Sequence, residues 1–103
     1  MSNRVEALKS LAEQNPRDNF VRYALAMAYA DAGESERALE EFGVLLSLNP
    51  DYKAAYFHAG QALEKLGRLE EARQMYRRGI EVTTRQGDGH AREQLASALE
   101  LLG

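Results

Sequence analysis

The chain repeats itself. Shifted by 34 residues along its own length, Asn15-Pro16 falls on Asn49-Pro50, Tyr23 on Phe57, Ala26 on Gly60 and Ala28 on Ala62. The register continues with Gly33 on Gly67, Glu36 on Glu70, Ala38 on Ala72, Phe42 on Tyr76 and Leu46 on Ile80. Past Thr84 the offset becomes 36, so that Ala62-Leu63 meets Ala98-Leu99 and Leu66-Gly67 meets Leu102-Gly103. The two extra residues lie in the Gly87-Asp88-Gly89 turn, and a loop is where an insertion costs least. A fixed period of this size marks an array of one supersecondary unit, in which each unit buries its apolar face only by stacking on a neighbour.

Each unit reads as a pair of helices. Pro16 and Pro50 cannot sit inside a helix, and each pushes the preceding Asn toward an extended conformation. Gly33 and Gly67 stand where a left-handed residue closes a helix. Ser35 is placed to cap the next helix, with Glu36 in its first turn, and Asp88 is available as an N-cap after Gly87. Between these marks apolar residues recur at spacings of three and four, as in Leu39, Phe42, Leu45 and Leu46, or Ala72, Met75, Tyr76 and Ile80. Composition agrees: Ala, Leu, Glu and Arg supply half of the 103 residues, whereas Val, Ile and Thr together supply seven. The sequence therefore predicts an all-α chain of about six helices, over 3–14, 18–32, 35–48, 52–66, 69–84 and 89–102.

This pattern resembles the tetratricopeptide repeat, which runs W-x2-L-G-x2-Y, then A-x3-F, then P over about 34 residues. The first complete unit has Arg22-x2-Leu25-Ala26-x2-Tyr29, Ala38-x3-Phe42 and Pro50. The second has Tyr56-x2-Ala59-Gly60-x2-Leu63, Ala72-x3-Tyr76 and Thr84. Arg22 departs from the opening aromatic, Ala59 from the usual Leu and Thr84 from the closing Pro, without changing the helical phase. The resemblance implies a short right-handed α-solenoid of antiparallel helix pairs forming one domain over 1–103. Its parts are a half-repeat at 1–16, repeats at 17–50 and 51–86, and a C-terminal capping helix at 88–103.

Small residues mark where helices cross. Ala26 and Gly60 fall mid-helix, with Ala38 and Ala72 on the partner helices. Glycine there costs roughly 1 kcal/mol relative to alanine, a cost explained if two helices approach closely at Gly60. The second helix carries two apolar stripes. Val21, Leu25 and Tyr29 hold the packing positions of the family pattern, whereas Phe20, Tyr23, Met27 and Ala30 lie more than about 100° away. In tetratricopeptide proteins the equivalent face of each first helix lines a concave groove. The resemblance therefore implies a partner-binding groove of Phe20, Tyr23, Met27, Ala30, Phe57, Gln61 and Glu64. A subset of the family grips a C-terminal carboxylate with Lys, Arg and Asn. The matching places here hold Tyr23, Met27, Phe57, His58 and Gln61, which suit an apolar segment instead. The same stripe has two other readings: core covered by the N-terminal helix, or a self-association surface.

Catalytic chemistry is not evident. Without Cys there is no disulfide, thiolate nucleophile or Cys-based zinc site. His58 and His90 stand 32 residues apart, so no metal site is expected. The serines lack nucleophile-elbow glycines, and Gly87-Asp88-Gly89 is too short for a phosphate loop. Neighbouring carboxylates such as Glu40-Glu41 and Glu70-Glu71 diverge by 100° on a helix and make no acid/base dyad. No cofactor is implied. A net charge of −3 disfavours nucleic acid as a partner. No apolar run reaches the ~20 residues that span a bilayer, and the first fifteen residues lack an apolar signal core. The expectation is a non-enzymatic, cytoplasmic interaction module (an adaptor, scaffold or assembly factor) that takes a protein or peptide ligand and no nucleic acid or membrane. The alternative is a homo-oligomer built through the same apolar face.

Overall fold

The computed structural model describes residues 3–103; residues 1 and 2, with which the expected half-repeat at 1–16 begins and which include Ser2, lie outside the described residues. Six helices follow in chain order: α1 (Asn3–Gln14), α2 (Asn19–Asp31), α3 (Ser35–Leu48), α4 (Ala54–Lys65), α5 (Leu69–Gln86) and α6 (Gly89–Leu102). There is no strand among the described residues. Each helix packs on its chain neighbours, giving a helical-repeat solenoid. In addition α2 touches α4 and α4 touches α6, whereas no such contact joins α1 to α3 or α3 to α5 among the described residues. The even helices therefore lie closer together than the odd ones. That difference curves the stack, with α2, α4 and α6 on the inner side.

Local chemistry explains the boundaries. Asp18 stands outside α2 as its N-cap, accepting from the Val21 amide at 3.1 Å. Gly33, Gly67 and Gly87 adopt φ of +80, +75 and +72°, a region closed to most side chains. Behind them the amides of Glu34, Arg68 and Asp88 reach back to the carbonyls of Tyr29, Leu63 and Thr83 at 2.9 Å. These bonds satisfy carbonyls that the helix ends would otherwise orphan. Such a turn leaves one extended residue, so the chain re-enters at once. Ser35 is consequently the first residue of α3 and not its cap; Glu34 holds the cap position, without a side-chain bond. Asp88 does cap α6, accepting from the Ala91 amide at 3.1 Å. Helix α4 begins two residues after the expected 52, because Asn49 accepts from the Asp51 amide through its side chain and from the Tyr52 amide through its carbonyl. Helix α5 runs two residues past the expected 84. Thr84, unlike proline, leaves the helix free to continue until Gly87 ends it.

The first position of each unit, where Arg22, Tyr56 and Arg92 align, has one recurring task. Tyr56 donates its hydroxyl to the Pro50 carbonyl at 2.6 Å. Arg22 donates Nη2 to the Pro16 carbonyl at 3.4 Å, and Arg92 donates Nε to Thr84 Oγ1 at 3.1 Å. A guanidinium thus replaces the expected aromatic while keeping the bond to the unit boundary. Arg22 also pairs with Glu41 at 2.6 Å.

The core runs the length of the stack: Leu25 and Tyr29 from α2, Phe42 and Leu45 from α3, Tyr56 and Leu63 from α4, Tyr76 from α5 and Leu95 from α6. Burying each of these side chains contributes on the order of 1.5–3 kcal/mol. Helices α4 and α5 interlock through two notches. A Cβ added at Gly60 would sit 2.2 Å from Cε1 of the fully buried Tyr76 ring. One added at Gly79 would sit 2.7 Å from Tyr56 Cβ and 2.9 Å from Leu95 Cδ1. Each helix therefore supplies a glycine for the other's tyrosine.

Candidate functional site

The inner side is built by α2, α4 and α6, and helical periodicity decides which side chains face it. On α2, Leu25 and Tyr29 turn into the core, while Tyr23, Met27 and Ala30 remain half-buried on a separate stripe. Phe20, one turn before Tyr23, is 70% exposed. On α4, Tyr56, Ala59, Gly60 and Leu63 are buried, leaving Phe57, His58, Gln61 and Glu64 half-buried on the inner side.

Two clefts flank α4. One, of about 250 Å³, lies between α2 and α4 and is lined by Met27, Ala30, Phe57, His58 and Gln61, with Asp31 and Lys65 at its edge. The other, of about 490 Å³, lies between α4 and α6, with Phe57, Gln61 and Glu64 facing Ser97, Ala98 and Leu101. Five of the seven residues expected from sequence thus line these two clefts. Phe20 and Tyr23 line neither. Phe57 borders both, and also a smaller 140 Å³ cleft beside Lys53 and Ala91.

Beneath the clefts lies an aromatic layer. The Tyr23 ring sits 6.2 Å from Phe42, 5.4 Å from Tyr52 and 6.0 Å from His58, centroid to centroid. His58 stacks on Phe42 at 6.3 Å and meets Phe57 edge-on at 5.3 Å. Such offset and edge-on contacts fix ring orientation beyond simple area burial. Burial holds the His58 imidazole below its ordinary pKa, against the opposing pull of Asp31. Burial also raises the Tyr23 phenol, helped by Tyr52.

Gln61 and Glu64 are not free arms. Gln61 Nε2 donates to the Tyr76 hydroxyl at 2.8 Å, and that hydroxyl donates to Glu64 Oε2. Burial and the neighbouring Glu64 carboxylate raise the Tyr76 phenol well above its usual range, so it keeps its proton and acts as donor. Among the described residues no cluster of His, Asp or Glu is arranged to hold a metal ion. No described helix is long and apolar enough to cross a membrane.

The sequence places His58 at a groove position without counting it among the partner-binding residues, and it gives neither Tyr52 nor the wall contributed by α6. The α6 wall had a signal: moved by 36 residues, His58 falls on Gln94, Gln61 on Ser97 and Lys65 on Leu101. Tyr52 lies outside the periodic helix and carried no such signal.

Residues 23–91 match the tetratricopeptide repeat family. A TPR repeat-containing protein of Pseudomonas aeruginosa is 29% identical over 98 residues, covering 95% of this chain and 93% of that protein. The crystal structure of a tetratricopeptide repeat domain protein from Salinibacter ruber is similar, with a TM-score of 0.77 and 35% identity over 82% of this chain and 96% of that one. PcrH in complex with the chaperone binding region of PopD superposes with a TM-score of 0.90 over 95% of this chain and 74% of that one. Identity there is 17%, so the likeness is one of fold.

Proposed function

The chain belongs to the tetratricopeptide repeat family, and from this premise we propose that it is a non-enzymatic interaction module holding a peptide or helix of a partner protein on its inner side. We read 1–16 as a half-repeat, 17–50 and 51–86 as full repeats and 88–103 as the capping helix. In this reading Phe20, Tyr23, Met27 and Ala30 from α2 and Phe57, Gln61 and Glu64 from α4 form the groove, and the module works in the cytoplasm as an adaptor or assembly factor. The observation that carries the reading is Phe57, a half-buried aromatic bordering three clefts on the inner side. An apolar side chain inserted beside it is desolvated on several sides, which is where interface energy concentrates. PcrH, of similar fold, is seen with the chaperone binding region of another protein.

The test is affinity capture of a partner from the native host, followed by titration with purified variants. Phe57→Ala and Tyr23→Ala are expected to weaken binding by at least about tenfold, or about 1.4 kcal/mol, while circular dichroism shows the helices retained. Undiminished affinity in both variants, each folded, removes the groove assignment. A second reading, self-association, is favoured by Phe20 and Leu101, which are 70% and 88% exposed. Light scattering over a concentration series separates the two: a monomer at high concentration excludes the second.

A further inference from the structure

Glu64 occupies an unusual place on the inner side. Its carboxylate is half-buried, and one oxygen is held by the Tyr76 hydroxyl, itself held by Gln61 Nε2 at 2.8 Å. The network fixes the direction of the carboxylate without neutralising it, since both supporting groups are uncharged. Among the described residues no Lys, Arg or His forms an ion pair with Glu64. Among the described residues no other charged side chain lines the cleft between α4 and α6; its remaining walls are Phe57, Gln61, Gln94, Ser97, Ala98, Leu101 and Leu102. The cleft between α2 and α4 differs, because its Asp31 is already bonded to Arg4 at 3.0 Å.

A half-buried carboxylate without a counter-charge, in a cleft whose other described walls are apolar or uncharged, is electrostatically incomplete. A guanidinium or ammonium group completes it with charge-assisted hydrogen bonds, which are roughly twice as strong as neutral ones. Apolar surface lies within the same cleft: Leu101, 88% exposed, lines it together with Phe57, Ala98 and Leu102. We propose that this cleft selects a partner segment carrying a lysine or arginine next to an apolar anchor, with Glu64 receiving the cation and Phe57 and Leu101 receiving the anchor. The proposal rests on the groove reading and specifies the chemistry of the partner. Tyr76 is a positioning residue, since it acts through Glu64, whereas Gln61 holds the Tyr76 hydroxyl and also lines the cleft.

The test uses random peptides displayed on phage, selected against the full chain and against Glu64→Lys. Selection on the parent is expected to enrich Lys or Arg within a few positions of a Leu, Ile, Met or aromatic residue. Selection on Glu64→Lys is expected to lose the enrichment in Lys or Arg, which a Glu64 that makes no contact with the peptide's cation would leave in place. Synthetic copies of the selected peptides should bind Glu64→Gln about tenfold more weakly than the parent. Replacing the peptide's basic residue by norleucine should weaken binding to the parent protein equally, a measurement independent of how any variant folds. Peptides with no basic bias, or norleucine peptides that bind as tightly, overturn the proposal. If binding of those same peptides is nonetheless lost in Phe57→Ala, the groove stands and only the charge selection falls. Peptides indifferent to Phe57→Ala, or no enrichment on the parent at all, remove the groove reading and the proposal together.

Discussion

Glycine behaves in two opposite ways within these helices, and the difference is contact. Gly60 faces the Tyr76 ring so closely that a single added carbon would lie 2.2 Å from it. Tyr76 cannot retreat, because it is fully buried and bonded at its hydroxyl to both Gln61 and Glu64. Gly60→Leu should therefore destabilise by roughly 1–3 kcal/mol through overpacking, read as a lower denaturation midpoint. A Cβ added at Gly43 in α3 would meet nothing within 4 Å beyond its own stretch of helix. There the helix bears only the conformational cost of glycine, so Gly43→Ala should raise stability by about 0.5–1 kcal/mol. Equal effects at the two sites would refute the contact argument. His58 gives a pH signature at the same scale. Burial lowers its folded pKa below the ordinary 6.5, so the unfolded chain takes up the proton first as pH falls. Its contribution is fully present above about 6.5, is lost as pH falls from there toward the folded pKa, and is flat below that. Urea midpoints should drop between about pH 7.5 and 5.5 in the parent. The drop should be smaller in His58→Phe.

At the level of the helix, turns decide more than propensity does. The sequence made the six helices legible because punctuation and period agreed: Asn-Pro, Gly and the three-four apolar rhythm pointed to the same breaks. Gly60 was legible for the same reason, as a glycine whose cost needed a cause. Gly79 was not, although it makes an equivalent close approach to Tyr56 and Leu95, because its register partner Leu45 suggested an ordinary core position. The tie between Gln61, Glu64 and Tyr76 was also invisible, since it joins residues on two helices whose relative rotation the one-dimensional pattern leaves open. The end of α5 shows how a family pattern misleads locally. Thr84 occupies the place of the expected proline, yet α5 continues to Gln86, and the Gly87 amide bonds to the Thr84 carbonyl at 3.1 Å. Thr84→Pro, a change toward the family pattern, would remove a helical donor and clash with the preceding turn. It should cost ~3 kcal/mol or more, measured by urea unfolding. A neutral outcome would mean that α5 ends earlier than described.

Over the whole molecule, stability is communicated from neighbour to neighbour. Each helix leans chiefly on the helices before and after it, and the end helices α1 and α6 have one such neighbour each. Opening should therefore be graded along the chain rather than all-or-none. Native-state hydrogen exchange is expected to show the slowest amides in α4 and α5, where the two notches interlock, and the fastest in α1. Uniform protection across all six helices would contradict the nearest-neighbour picture. The reciprocal seating of Tyr76 on Gly60 and Tyr56 on Gly79 carries an evolutionary consequence. Gly60 cannot acquire a side chain while the Tyr76 ring remains, and Gly79 cannot while Tyr56 Cβ and the Leu95 side chain hold their places. Sequence drift at this seam should then proceed through compensated replacements, which yokes α4 and α5 together in their descent.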